Sequence, residues 1–357
     1  MKIVHTSDIH IDSPITAHLD PVKAARRRKE LTDSLARVVR DAVEMGAAGF
    51  IIAGDLFDRE RVSRRSAEAV LAIIHGAPRV HFFYLPGNHE GDALLSSGAE
   101  FPKNLHVFNT GWTYYRLGDV NIVGRSEVHE GMFDTLQLDG NAKNLVVLHG
   151  ELRDGGCADG VIGIRDIEGK SIDYLALGHY HKYSEKRIDR RCTAVYSGTP
   201  EGRGFDETGE CGYAVIDTAG DKITHRFIRS ATRKLQLIKV DVGGAHSQGE
   251  VEYRASLALE RISDVDLVRL ELVGGRSESY ICDTDSLYRR FGGRFFYFEV
   301  KDSTSLEIRA EDYRCDRSLA GEFVRLVMAD GSLGDDERDA ILTLGLHALR
   351  GEAIYER

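Results

Sequence analysis

Five times in this chain an apolar run of strand length ends in a polar residue of metal-ligand type. The runs are KIVHTSD, ending at Asp8; GFIIAGD, ending at Asp55; VHFFYLPGNH, ending at His89; NLVVLHG, carrying His149; and YLALGHYH, ending at His181. Near-continuous apolar runs describe strands buried on both faces, because a strand with one wet face alternates instead. Between the first two runs, Ala24 to Met45 carries Leu31, Leu35, Val38, Val39 and Ala42 at helical spacing before a Gly46 stop. Ser66 to His75 reads as a second helix before Pro78. Strand, helix, strand, helix predicts an α/β sheet with right-handed crossovers. Ligands in such sheets bind beyond the carboxyl ends of the strands, where each of these polar residues falls, so all five ends are expected along one sheet edge.

The remaining segments are shorter. Val120 to Gly124 and Cys192 to Asp217 are strand-like and turn-rich, and predict a second sheet. After Arg233 the pattern changes: LQLIKVDV, VEYRASLALERI, DLVRLELVG, DTDSLYRRF and FFYFEV read as β-α-β-α-β, a small domain of split βαβ type. From Leu319 onward the chain is helical, with Phe323, Val324, Leu326 and Val327, then Ile341, Leu342, Leu344, Leu346 and Leu349. The expected division is 1–232, 233–312 and 313–357.

Composition sets outer limits. A chain of 357 residues is long for one core, and 42% hydrophobic with 29% charged residues is ordinary for a globular protein. No charged and apolar leader opens it and no run of roughly 18 apolar residues occurs, so the expected location is the cytoplasm, with no membrane partner. Cys157, Cys192, Cys211, Cys282 and Cys315 form no CxxC pair, which argues for reduced thiols and against a thiolate zinc site. A formal charge of −10 argues against a surface coated for nucleic acid. The basic clusters Arg26-Arg27-Arg28-Lys29 and Arg59, Arg61, Arg64, Arg65 read as solvated helix faces.

Chemistry is concentrated in Asp8, His10, Asp55, Asn88, His89, His149, His179 and His181. Histidine, carboxylate and amide oxygen suit manganese, iron or zinc. A lone strand-end histidine is usually structural, but five such ends in one chain favour a shared centre. Asp12 completes an alternating row with Asp8 and His10, yet it sits beside Ser13-Pro14, where a short acid caps a turn, and it is read as structural. The spacing D-x-H, GD-x-x-D, GNH-E, H-G and GH-x-H resembles the calcineurin-like metallophosphoesterases, with all five motifs intact. The resemblance implies a two-sheet αββα sandwich and two divalent metal ions. Residues matching Asp8, His10, Asp55 and His181 would hold one ion. Those matching Asp55, Asn88, His149 and His179 would hold the other, with Asp55 bridging. Glycine before Asp55, Asn88 and His179 is expected to provide a sharp turn. His89 would supply a proton or charge to the leaving oxygen, oriented by Asp58; the competing reading of Asp58 is a helix N-terminal acid. Arg59 matches a phosphate-contacting arginine, and Glu90 reads as a supporting residue.

HTSDIHIDSP, GHYHKY, VYSGTPEGRGFDETGECGYAVID and the segment after Arg233 resemble a narrower group, the SbcD-type DNA exonucleases and their YhaO-like bacterial branch. The match covers roughly the first 230 residues; beyond it the cap and tail agree in order and size. It implies a manganese-dependent DNA nuclease for repair or end processing, exonucleolytic and in part endonucleolytic, whose cap at 233–312 selects DNA ends. It also implies a tail docking on an SMC-like coiled-coil ATPase of the SbcC/YhaN type, and a homodimer formed through the helices at 24–45 and 64–75. The chain departs from the group in having GNHE rather than GNHD, and Asp58 where archaeal and eukaryotic members place a histidine. Two other functions stay open: a small-molecule phosphodiesterase or phosphatase on the same site, and a catalytically weak scaffold. The tail, likewise, either docks a partner or packs on the chain's own core.

Overall fold

The computed structural model describes residues 1–15, 19–58, 62–87, 94, 100–276, 282–306, 313 and 315–349. It divides into two compact units, Met1–Gln236 and Leu237–Arg357. The strands of the first unit are β1 (Lys2–Thr6), β2 (Gly49–Ala53), β3 (His81–Leu85), β4 (Leu105–Val107), β5 (Thr113–Leu117), β6 (Val120–Gly124) and β7 (Lys143–His149). They continue with β8 (Glu151–Arg153), β9 (Val161–Gly163), β10 (Tyr174–Gly178), β11 (Ser184–Arg187), β12 (Thr193–Tyr196), β13 (Gly212–Asp217) and β14 (Thr224–Arg229). Its helices are α1 (Pro21–Glu44), α2 (Arg64–His75) and the short α3 (Ile164–Ile167).

Two six-stranded sheets face each other, in the orders β14-β13-β1-β2-β3-β4 and β11-β12-β10-β7-β6-β5. The αββα class is therefore as expected, but two details differ. The strand ends expected along one sheet edge come from both sheets: β1, β2 and β3 from the first, β7 and β10 from the second. The segment Cys192–Asp217 also splits, since β12 joins the second sheet and β13 pairs antiparallel with β1, Lys2 opposite Asp217. Short apolar strands carry the same pattern whichever sheet they enter, so sequence alone does not sort them.

Side-chain alternation explains why the apolar runs are unbroken. Ile3, Ile51, Ala53, Phe83, Leu85, Leu145 and Val147 point into the core between the sheets. Their neighbours Val4, Phe50, Ile52, Phe82 and Tyr84 face the outer core of the first sheet, beneath α1 and α2, and Val146 and Leu148 face the outer core of the second. Each fully buried side chain of this kind contributes about 1.5–3 kcal/mol relative to exposure.

Helix α1 begins at Pro21, three residues earlier than expected, because Asp20 caps it by accepting from Val22 N and Lys23 N. Ser63 caps α2 in the same way by accepting from Ser66 N. The basic run on α1 is not wholly solvated. Arg27 is fully buried, donating through Nη1 to Glu30 and to Glu201 Oε1 at 2.9 Å and through Nη2 to the Gly202 carbonyl. Arg37 reaches Glu201 Oε2 at 2.8 Å and Arg233 reaches Glu30 Oε1 at 2.9 Å, so each of these buried carboxylates faces at least two arginines.

The second unit follows the β-α-β-α-β reading. Strands β15 (Leu235–Asp241, which begins just before the division), β16 (Leu267–Val273), β17 (Gly275–Arg276), β18 (Tyr297–Asp302) and β19 (Ser305–Leu306) alternate with α4 (Gln248–Leu259) and α5 (Thr284–Phe291). A three-stranded sheet β15-β16-β18 packs its apolar face with Val251, Ala255 and Leu259 of α4 and Leu287 of α5. The helices α6 (Leu319–Ala329) and α7 (Asp335–Leu349) share a separate small core of Tyr313, Val324, Val327, Leu342 and Leu346. They leave Leu319, Leu326 and Leu344 exposed. Among the described residues, no helix is long and apolar enough to cross a membrane.

Candidate metal centre

Beyond their last paired residues β1 and β2 keep running side by side. Asp8 N donates to the Gly54 carbonyl at 3.1 Å, His10 N to Asp55 O at 3.0 Å and Ile11 N to Leu56 O at 2.9 Å. Along this stretch the backbone is left-handed at Asp8 (φ 53°), His10 (φ 51°) and Asp55 (φ 49°), and again at His179 (φ 113°). Such conformations cost on the order of 1–3 kcal/mol each and break the in–out alternation of a strand. The strain is concentrated on the ligand-type residues.

The glycines of the GD, GN and GH pairs are there chiefly for close approach. A Cβ on Gly54 would lie 2.1 Å from His149 Nδ1, one on Gly87 2.0 Å from Asp55 Oδ1, and one on Gly178 1.9 Å from Ala53 O. The expected turn conformation holds at Gly54, with φ 88°, and not at Gly87 or Gly178. At Gly178 the crowding of the two sheet ends excludes a side chain, and at Gly87 the neighbouring end of β2 in the same sheet does so.

Five of the expected residues converge. Asp8, His10 and His181 each present a ligand atom within 4.8 Å of the others, and so do Asp8, Asp55 and His149. The Nε2 atoms of His10 and His181 face each other at 3.3 Å, and His181 Nε2 lies 3.9 Å from Asp8 Oδ1. Asp55 Oδ2 sits between the two groups, 3.7 Å from His10 Nε2 and 3.4 Å from His149 Nε2. Asp8 is fixed by Ser7 Oγ at 2.5 Å and by His179 N at 3.0 and 3.2 Å. Hard oxygens and imidazole nitrogens aimed at common points are a donor set that fits divalent cations.

A carbonyl or carboxylate oxygen stands behind each imidazole, an arrangement common for metal-binding histidines. His149 Nδ1 donates to the Ala53 carbonyl at 3.0 Å, which leaves Nε2 toward Asp55. His181 Nδ1 lies 2.6 Å from Glu207 Oε1, and His10 Nδ1 lies 2.9 Å from Asp58 Oδ1. Burial pulls the His10 pKa down to about 4, helped by the Arg203 cation and opposed by Asp55 and Asp8. At His149 burial acts in the same direction but Asp55, Asp8 and the Ala53 carbonyl outweigh it, and the pKa rises to about 9. His181 is also raised: burial would lower it, and Glu207 and Asp8 prevail. Cation binding through Nε2 would release these protons.

The other expected residues are placed differently. His179 is exposed, its ring centroid 5.7 Å from that of His149, and its side chain belongs to neither group. Asn88, His89, Glu90 and Arg59 lie outside the described residues. Asp58 faces His10 and Arg203. Asp12 occupies a left-handed turn (φ 70°) closed by Ser13 N donating to His10 O at 3.0 Å. Sequence reasoning missed Arg203 and Glu207 as parts of this neighbourhood. The signal was present in GRGFDE, an arginine and a glutamate four residues apart in a turn-rich segment, but nothing local says which histidine they reach.

The sequence profile of the calcineurin-like phosphoesterases matches residues 1–189, more than half of the chain. The chain belongs to that family. Among curated calcineurin-like relatives, the DNA double-strand break repair protein Mre11 of Methanosarcina acetivorans is 25% identical over 363 residues, covering 94% of this chain and 57% of the relative. Mre11 of Methanosarcina mazei is 24% identical over 363 residues, covering 94% and 56%. The metallophosphoesterase YhaO of Bacillus subtilis, described as uncharacterized, is 24% identical over 262 residues, covering 68% and 63%. This calcineurin-like chain thus spans between 56% and 63% of the length of those three relatives.

Proposed function

We propose that the chain is a two-metal phosphodiester hydrolase acting on DNA, a nuclease of repair or end processing. The observation that carries the reading is the convergence of Asp8, His10, Asp55, His149 and His181 from two facing sheets into two overlapping ligand groups. In this reading Asp8, His10, Asp55 and His181 hold one divalent ion, Asp55, Asn88, His149 and His179 the other, and manganese is the resident metal. When bound, such a pair polarises the phosphoryl oxygens and lowers the pKa of a water so that it attacks near neutral pH. His89 supplies the proton at the leaving oxygen, and Arg59 contacts the phosphate. Left-handed backbone at Asp8, His10 and Asp55 pre-sets the ligands.

DNA as substrate is supported by relatives named for double-strand break repair and by the second unit. An acidic chain that binds DNA weakly alone would draw affinity from partners, which we take to be a second copy and an SMC-like coiled-coil ATPase met by α6 and α7. A second reading, hydrolysis of small phosphoesters, is favoured by a cavity of about 300 Å³ beside His149, lined by Ser126, Glu127, His129 and Asp159. One experiment separates the two. Single- and double-stranded DNA are incubated with manganese and the protein, beside Asp8→Ala and His89→Asn variants. Metal-dependent nucleotide release that both variants lose is expected. No release from DNA, with rapid turnover of a nucleotide monoester, would transfer the assignment to the second reading.

A further inference from the structure

We propose that Arg203 is a positioning residue for the first of the two metal sites, and this rests on the two-metal reading above. Its guanidinium joins the two carboxylates that face the Nδ1 atoms of His10 and His181, so that both rings present Nε2 to one shared cation. Arg203 Nη1 lies 3.1 Å from Asp58 Oδ1, and Nη2 and Nε lie 2.7 and 3.0 Å from Glu207 Oε1. Asp58 in turn stands 2.9 Å from His10 Nδ1 and Glu207 2.6 Å from His181 Nδ1. The arginine is itself anchored, through Nη1 to Ser13 Oγ at 3.1 Å and through its backbone N to Glu207 Oε2. Its side chain is 14% exposed, and that of Glu207 3%.

The chemistry explains why an arginine stands here. The carboxylates favour the Nδ1–H tautomer of both histidines, leaving each Nε2 lone pair facing inward: Glu207 directly behind His181, and Asp58 by its charge, 2.9 Å from His10 Nδ1 but outside hydrogen-bond geometry. Left uncompensated, the same carboxylates would repel one another and compete for the cation themselves. A guanidinium, always charged and rigidly forked, bonds both at once and offsets their mutual repulsion. Nη2 also lies 3.3 Å from His181 Nδ1, but in that tautomer both atoms carry protons, so this contact steers and does not bond. In the second group His149 Nδ1 is held by a backbone carbonyl instead, and among the described residues no arginine is seen joined to it. The two sites should therefore respond differently to loss of Arg203.

The test is titration of metal-stripped full-length protein with Mn(II), followed by calorimetry and by electron paramagnetic resonance, for wild type, Arg203→Met, Arg203→Lys and Glu207→Gln. Wild type should bind two ions that couple magnetically. Arg203→Met should weaken one of them about 10–100-fold and leave the other within about twofold, so that one equivalent gives an isolated six-line spectrum. Arg203→Lys, which keeps the charge but not the fork, should recover only part of the loss. Thermal melting of the stripped proteins reports folding; if Arg203→Met does not fold, the lysine and glutamine variants carry the comparison. Two wild-type-like sites in a folded variant, or equal weakening of both, overturns the role of Arg203 alone. A wild type that binds fewer than two ions overturns the two-metal reading, and this proposal with it.

Discussion

Single residues decide the geometry of the centre, and glycine is the sharpest case. Gly178→Ala puts a methyl group 1.9 Å from the Ala53 carbonyl, the atom that also holds His149. It should cost at least about 2–3 kcal/mol in urea unfolding and weaken metal binding, whereas Gly111→Ala, in open space, should be near neutral. Equal midpoints would contradict the close-approach account. The five residues that converge, Asp8, His10, Asp55, His149 and His181, were legible because their types and spacing are local properties of the chain. Arg203 and Glu207 were not, because their roles exist only once a distant loop meets the ends of β1 and β10. A second residue, His5, titrates in the core. Its ring lies on the inner face of β1 with Nδ1 3.0 Å from the Tyr174 hydroxyl, and burial, opposed by the Leu177 carbonyl and aided by His225, drops its pKa to about 3. The unfolded chain, with an ordinary histidine near 6.5, therefore binds the proton more readily. Stability from this residue is full above pH 6.5 and is lost as pH falls toward 3, with a slope of up to about 1.4 kcal/mol per unit. His5→Gln should flatten that slope in pH-dependent denaturant titrations; an unchanged slope would exclude His5 as its source.

At the scale of elements, strands and helices were readable from periodicity, and their ends from turn chemistry. Helix α1 starts three residues before the Ala24 expected from the apolar spacing, because proline after a capping aspartate is a first-turn residue. Sheet membership was the harder question. Both faces of β12 and β13 are apolar, so neither strand announces its partner, and β13 returns to the first sheet only because β1 offers it an edge. The basic run on α1 carried a similar ambiguity. Arg27 and Arg28 look alike in sequence, yet one is fully buried between Glu30 and Glu201 and the other is exposed. Arg27→Met should therefore destabilise the first unit by about 3 kcal/mol, because it leaves buried carboxylates short of a partner, while Arg28→Met should stay within about 0.5 kcal/mol. Chemical denaturation of the two variants checks this, and equal effects would remove the buried network from the account.

For the whole molecule, the family and the two-sheet class were accessible from five motifs, while the tail admitted two readings. The structure gives α6 and α7 a core of their own and an exposed apolar set of Leu319, Leu326 and Leu344. Truncation after Tyr313 should abolish co-purification with an SMC-like ATPase while sparing hydrolysis of a small phosphodiester; an ATPase that still co-purifies removes the tail from the interface. The central claim is that two cations sit where the two sheets end. Anomalous diffraction from manganese-soaked crystals tests it most directly. The account predicts two peaks, one among Asp8, His10, Asp55 and His181 and one among Asp55, Asn88, His149 and His179, with Asp12 bound to neither. A single peak, or a pair elsewhere in the chain, would contradict it.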